Sequence, residues 1–167
     1  ATQILEFAGM PSSLVATKNL DYIEATKELK AGDIDAFFCT AGLTTTVIDE
    51  FSKECDIRLI PLTDTVISKM LESSLAYTSE VIPAGTYTGQ TTDISTIGVK
   101  SVLITKADVS DDTIEQLTSL LFEKENEISY SNSLKLELTY DFATDDIPIP
   151  FHDGAKRYYK ARGYSTN

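Results

Sequence analysis

Basic residues are scarce in this chain: 14 lysines and arginines stand against 26 aspartates and glutamates, for a net charge of −12. Nucleic acids and anionic membranes select basic surfaces and release counterions to them, so neither is expected as a partner. The one basic cluster, Lys156, Arg157, Lys160 and Arg162, lies in a tyrosine-containing helical stretch near the C-terminus. Cations there offset the helix dipole, which makes a structural role the simpler reading. Cysteine is equally thin. Cys39 and Cys55 have neither the number nor the spacing of a zinc site or a disulfide framework. Cys39, in the apolar run Ala36-Phe-Phe-Cys39, reads as a small buried hydrophobe. The single histidine, His152, has no Cys or Ser nucleophile spaced to use it and reads as a capping or hydrogen-bonding residue. Nucleophile-elbow, phosphate-loop, zincin and dinucleotide fingerprints are missing, as are a signal peptide, a transmembrane run and a lipidation motif. No catalytic residue, metal or cofactor is expected.

What the chain does have is the composition of a folded protein. Hydrophobic residues make up 42% and charged residues 24% of its 167 positions, near globular averages, and a chain of this size buries roughly 70% of its unfolded surface. Residues 2–9 carry Ile4, Leu5, Phe7 and Ala8 at helical spacing and stop at Gly9 and Pro11. The helix is already under way at the first residue, and the chain is expected to be a piece of something longer. Residues 15–20 predict a short strand. Asp21 caps a helix over 22–30 that closes at Gly32. Asp33-Ile-Asp-Ala-Phe-Phe-Cys39 predicts a buried strand of an α/β sheet. A small-residue turn, Thr40-Ala-Gly42, leads to a helix over 44–55 with Val47, Ile48 and Phe51 on one face. That order aims backbone N–H groups at the sheet's carboxyl edge, where an anion is held favourably, although such a turn also serves as a plain tight connection. A strand over 56–62 and a helix over 65–73, capped by Thr63 or Asp64, follow.

The most informative stretch is Glu80-Val-Ile-Pro-Ala-Gly-Thr-Tyr-Thr-Gly-Gln90, running through Thr91, Thr92, Ser95 and Thr96 into a second extended run over 97–105. Pro83 and Gly85 break the first strand, and the hydroxyls and amides that follow suit either a solvated surface loop or the recognition of a small polar or carboxylate ligand. Ser110 caps a helix reaching to about residue 128, with Asp111 and Asp112 on its positive end as capping rather than catalytic groups. Residues 130–150 form the least regular part. Its aspartates Asp141, Asp145 and Asp146 lack the glycine and glutamate of a calcium loop. A final helix over 155–162 closes at Gly163.

Three ordered motifs, Gly32-Asp-Ile-Asp-Ala-Phe-Phe38, Ile82-Pro-Ala-Gly-Thr-Tyr-Thr-Gly89 and Pro148-Ile-Pro-Phe-His-Asp-Gly-Ala-Lys-Arg-Tyr-Tyr159, resemble the TAXI group of solute-binding proteins of tripartite ATP-independent periplasmic (TRAP) transporters. The helix opening Val109-Ser-Asp-Asp-Thr-Ile114 is similar too. The resemblance implies an α/β fold, a periplasmic-binding-protein-like (type II) lobe, and the C-terminal part of a two-lobed receptor. Residues 1–75 would form the main part of the second lobe, 76–107 the cleft loop and crossing strands, and 108–167 a C-terminal helical segment returning to the first lobe. It also implies a receptor rather than an enzyme, in the periplasm or otherwise extracytoplasmic. Such a receptor captures a small organic acid or an amino acid such as glutamate and delivers it to the membrane permease subunits. Thr40, Ala41 and Gly42 would face the cleft, and Tyr87 and Gln90 would line it. The chain departs from the family pattern at Asp153, where many members have proline, and at Thr88, where proline is common. Two rival readings stand beside this one: an α/β enzyme working through the carboxylates of residues 141–146, and a lobe that associates with itself through an exposed apolar face.

Overall fold

The computed structural model describes residues 1–123 and 138–166, in two compact units that divide between Val99 and Lys100. Among the described residues no helix is long and apolar enough to cross a membrane.

In the first unit, helix α1 (Thr2–Phe7) is followed by a 3-10 turn (Ser12–Leu14) and helix α2 (Tyr22–Ala31). The Asp21 carboxylate accepts from the Glu24 N–H at 2.8 Å, and Gly32 closes α2 in the left-handed conformation, as expected of an aspartate N-cap and a glycine C-cap. Helix α3 (Thr46–Glu54) buries Ile48, Phe51 and Ser52. Helix α4 (Asp64–Ser73), capped by the Thr63 hydroxyl, buries Val66, Ile67 and Met70. These apolar positions recur three to four residues apart, the spacing of one helical face. The α4 face packs on α1 and on an antiparallel hairpin, β1 (Tyr77–Ile82) and β2 (Ile94–Val99). The hairpin register runs from Tyr77 opposite Val99 to Ile82 opposite Ile94. Met70, 2% exposed, lies at the centre of this core.

The mixed helix and strand content fits the expected α/β class, but the strands are not where the apolar runs put them. The hairpin is the one sheet among the described residues. The run 33–39 bends at Asp33 and Asp35 and forms no ladder, and Phe38 is 47% exposed, which corrects the expected buried strand. Residues 15–20 and 56–62 are likewise unladdered. An apolar run declares which side chains favour burial, whereas a ladder needs a second backbone within about 4.8 Å to exchange N–H and C=O groups. Here those groups find other partners. The Tyr22 hydroxyl donates to the Thr40 carbonyl at 2.9 Å and accepts from the Thr40 N–H at 3.1 Å. The Leu62 N–H donates to the Ser95 carbonyl at 2.9 Å, so segment 56–62 meets the start of β2. The second hairpin strand begins at Ile94, three positions before the expected run, and ends at Val99.

In the second unit, helix α5 (Asp111–Glu123) packs against helix α7 (Asp153–Lys160). Ser110 Oγ accepts from the Thr113 N–H at 3.3 Å, the expected cap. The rest of the expected helix, to about residue 128, lies outside the described residues. Helix α6 (Tyr140–Thr144) occupies part of the stretch read as irregular, and the Thr139 hydroxyl caps it. Lys100 Nζ donates to the Phe142 and Asp145 carbonyls at 3.0 and 2.7 Å, closing the C-terminal end of α6 with a cation. The core is aromatic: Phe122 stacks on Tyr140 and on Tyr158, and Tyr159 meets Phe122 and Phe151 edge-on. Gly154 makes the α5–α7 approach possible. A Cβ there would run into the Asp111 backbone, meeting its Cα at 3.0 Å.

Candidate functional site

The hairpin connection, residues 83–93, is a folded element in its own right. Two successive turns shape it. The Thr86 N–H donates to the Pro83 carbonyl at 3.2 Å across Gly85, and the Gln90 N–H donates to the Tyr87 carbonyl at 3.1 Å across Gly89. Both glycines have positive φ, 81° and 79°, the requirement of the third position of a type II turn. The Gln90 side chain joins the two turns. Its Nε2 donates to the carbonyls of Ile82, Pro83 and Thr92 at 3.0 to 3.1 Å, and its Oε1 accepts from the Tyr87 N–H at 3.3 Å. Asp93 Oδ1 closes the base of the loop by accepting from the Ala84 N–H at 2.8 Å.

Tyr87 fastens this loop to the start of α3. The side chain is buried, 6% exposed, and its hydroxyl donates to the Leu43 carbonyl at 2.6 Å while accepting from the Thr45 N–H at 3.3 Å. Burial holds the phenol above its ordinary pKa, against the opposing effect of the Thr45 N–H. One residue on, the Thr88 N–H donates to Ser52 Oγ at 3.2 Å, and that buried hydroxyl in turn donates to the Asp49 carbonyl. The loop is therefore held at both the first turn and the middle of α3.

Between this loop and the extended segment 57–61 runs a groove of about 260 Å³. Arg58, Tyr87, Thr88, Gln90, Thr92 and Asp93 are among its lining residues. Of the residues singled out in the sequence, Tyr87 and Gln90 line this groove. Thr40, Ala41 and Gly42 do not; they lie exposed in the connection to α3. Tyr87 bonds to Leu43 and Thr45, so the two sequence-selected segments are neighbours within the first unit. The Tyr87 hydroxyl is taken up by the backbone of residues 43 and 45 and the Gln90 amide by the loop backbone, so their part in any recognition is to shape the wall.

Arg58 was not foreseen. It places a cation where the sequence offered only hydroxyls and helix N-termini. Its position in an apolar run, Ile57-Arg58-Leu59-Ile60, carries no local signal of a site. Only the bond from Leu62 to Ser95 brings that run beside the loop.

The other candidates resolve into structural roles. The His152 Nδ1 accepts from the Gly154 N–H at 3.1 Å as the N-cap of α7, the capping role expected of it. Arg157 pairs with Asp112 at 2.6 Å and Glu115 at 3.1 Å. Arg162 stacks 3.6 Å over the Tyr158 ring and donates to the Tyr140 hydroxyl. The two arginines of the basic cluster thus hold α7 in place, while Lys156 pairs within the helix, with Asp153. Burial raises the Cys39 thiol above its ordinary pKa, so it is not an activated nucleophile.

The first unit is thus a mixed helix and strand unit whose open groove is walled by an ordered polar loop. A family model of the NMT1-like family matches residues 1–163, and the chain belongs to that family. It is a periplasmic-binding-like family of solute-binding receptors, a family of binding proteins rather than enzymes, whose members are typically extracytoplasmic. The expectation of a solute receptor with a transporter partner agrees with the family at that level.

Proposed function

We propose that this chain is the C-terminal, type II lobe of an extracytoplasmic receptor of the TAXI type. It would capture a small organic acid or an amino acid such as glutamate and hand it to a TRAP permease. One observation carries this reading: the Tyr87 hydroxyl ties the 83–93 loop to residues 43–45, gathering the two segments of the TAXI resemblance that offer polar groups. Thr40, Ala41 and Gly42 sit just upstream of that tie and remain the proposed cleft-facing residues. Tyr87 and Gln90 give the cleft wall its shape. A ligand acts on such a receptor by binding one arrangement of it better than another, and the favoured arrangement is the one a permease recognises.

Thermal unfolding of the chain with a panel of amino and dicarboxylic acids, and a neutral sugar as control, tests the proposal. An acid present at about a hundred times its dissociation constant adds roughly 2.7 kcal/mol to a single-site binder. A rise in Tm with at least one acid and none with the sugar is expected. A flat response across the panel removes the ligand class.

A second reading, self-association, is favoured by the segment 102–104, where Val102, Leu103 and Ile104 are exposed, Leu103 by 67% and Ile104 by 74%. Unpaired extended apolar backbone promotes such association. Sedimentation at increasing concentration distinguishes it, because a monomeric receptor keeps a constant mass.

A further inference from the structure

The connection 40–45, which carries the proposed cleft-facing residues, has no ladder and no backbone turn bond of its own. The Thr45 carbonyl accepts from the Asp49 N–H in the first turn of α3. Among the described residues, every other hydrogen bond made by this backbone goes to one of two tyrosine hydroxyls. Tyr22, the first residue of α2, donates to the Thr40 carbonyl at 2.9 Å and accepts from the Thr40 N–H at 3.1 Å. Tyr87, on the hairpin loop, donates to the Leu43 carbonyl at 2.6 Å and accepts from the Thr45 N–H at 3.3 Å. The Thr45 side chain makes no capping bond to α3, so no local group substitutes for these two phenols.

We propose that Tyr22 is a positioning residue of the solute site: paired with Tyr87, it sets the direction of the backbone groups that Thr40, Ala41 and Gly42 present. This deepens the receptor reading above and rests on it. Ala41 has no polar side-chain atom and Gly42 no side chain, so what these two positions offer a solute is backbone N–H and C=O alone. Both are exposed, and a glycine that nothing holds samples more backbone conformations than any other residue. A free turn would have to be ordered by the solute on binding, and that cost is subtracted from the affinity. A turn pinned on each side of Ala41 and Gly42 is already ordered when the solute arrives. The two hydroxyls act from a common frame, because α2 packs on α3 and the Thr88 N–H bond to Ser52 holds the hairpin loop to α3 as well.

Tyr22→Phe keeps the ring and removes only the hydroxyl. Tyr22 is half-buried and Thr40 exposed, so water takes over the Thr40 backbone groups, and the Tm without ligand is expected to stay near that of the unaltered chain. L-glutamate and glutarate are each titrated by calorimetry. An acid that binds the unaltered chain is expected to bind Tyr22→Phe about threefold more weakly, within the range of one neutral hydrogen bond. Lys30→Gln removes the 3.1 Å pair between α2 and Glu54 of α3 without touching residues 40–45, and should bind as the unaltered chain does. Amide exchange in the unaltered chain needs no variant: the Thr40 and Thr45 N–H groups should exchange more slowly than those of Ala41 and Gly42, which donate to no group among the described residues. Undiminished affinity in Tyr22→Phe, equal losses in Tyr22→Phe and Lys30→Gln, or uniform exchange across residues 40–45 overturns the positioning role while the receptor reading stands. Binding of neither acid to the unaltered chain overturns both.

Discussion

Tyr87 shows how one buried hydroxyl can hold a loop that its sequence leaves undetermined. The hydroxyl is both donor and acceptor, to Leu43 and Thr45 at 2.6 and 3.3 Å, so its removal leaves two backbone groups without their partner. Tyr87→Phe is therefore expected to destabilise the chain by about 1–3 kcal/mol, the cost of buried polar groups left unpaired. Denaturant unfolding monitored by circular dichroism measures this. A midpoint within error of the parent would mean that the loop is held by its turns and by the Ser52 bond alone. Tyr158 makes a different use of its hydroxyl. It is 2% exposed, with its oxygen 3.4 Å from that of Tyr140, and burial, followed by the Tyr140 hydrogen bond, pushes its pKa up to about 12. An unfolded tyrosine ionises near pH 10. Above that pH the unfolded chain sheds the proton first, so stability is complete below about pH 10 and falls as pH rises through about 12. Burial raises Tyr87 and Tyr159 as well. Unfolding curves collected from pH 8 to 12 should show this alkaline loss, less steep in Tyr158→Phe but still present. An unchanged slope in that variant would assign the loss elsewhere.

Among the elements, the α5–α7 pair depends on a single absent side chain. The first turn of α7 lies against the Asp111 backbone at Gly154, where the contact is with main-chain atoms that cannot rotate away. Gly154→Ala is expected to cost about 1–3 kcal/mol by forcing the helices apart, with a lowered Tm and a disturbed aromatic near-ultraviolet signal from the Phe122, Tyr140 and Tyr158 stack. A parent-like Tm would show that α7 can shift along α5 without loss. The hairpin loop is built on the opposite principle, with glycines at positions of positive φ and a glutamine amide between the turns. It owes its shape to hydrogen bonds rather than to packing. That arrangement keeps the groove wall rigid while leaving its threonines and Asp93 facing solvent.

For the molecule as a whole, an excess of twelve negative charges sets the field that any charged ligand meets. Among the described residues Lys18, Lys30, Lys53, Lys156 and Arg157 pair with carboxylates and add little individually, since exposed pairs contribute about 0–1 kcal/mol. Arg58, like Lys27, Lys106 and Lys160, makes no ion pair among the described residues, and it lines the groove together with Thr88, Gln90, Thr91 and Thr92.

Local chemistry was enough to specify the caps and helices. Asp21, Thr63, Ser110 and His152 each offer a short acceptor within reach of the first free N–H groups, and Gly32 can adopt the left-handed conformation that ends α2. These effects act over three or four residues, which is why they could be read directly. The motifs 32–38, 82–89 and 148–159 were likewise sufficient to indicate a periplasmic-binding-like receptor, in agreement with the family. Tertiary structure decided which apolar runs became strands and which polar groups turn inward or line the groove. The run 33–39 is as apolar as a strand, yet a ladder depends on another backbone that no local signal supplies. Gln90 and Tyr87 are polar loop residues whose groups turn inward, and Arg58 enters the groove because Leu62 bonds to Ser95, thirty-three positions along the chain. Distance in sequence carries no information about such contacts; burial and pairing of the backbone set them only when the chain has folded.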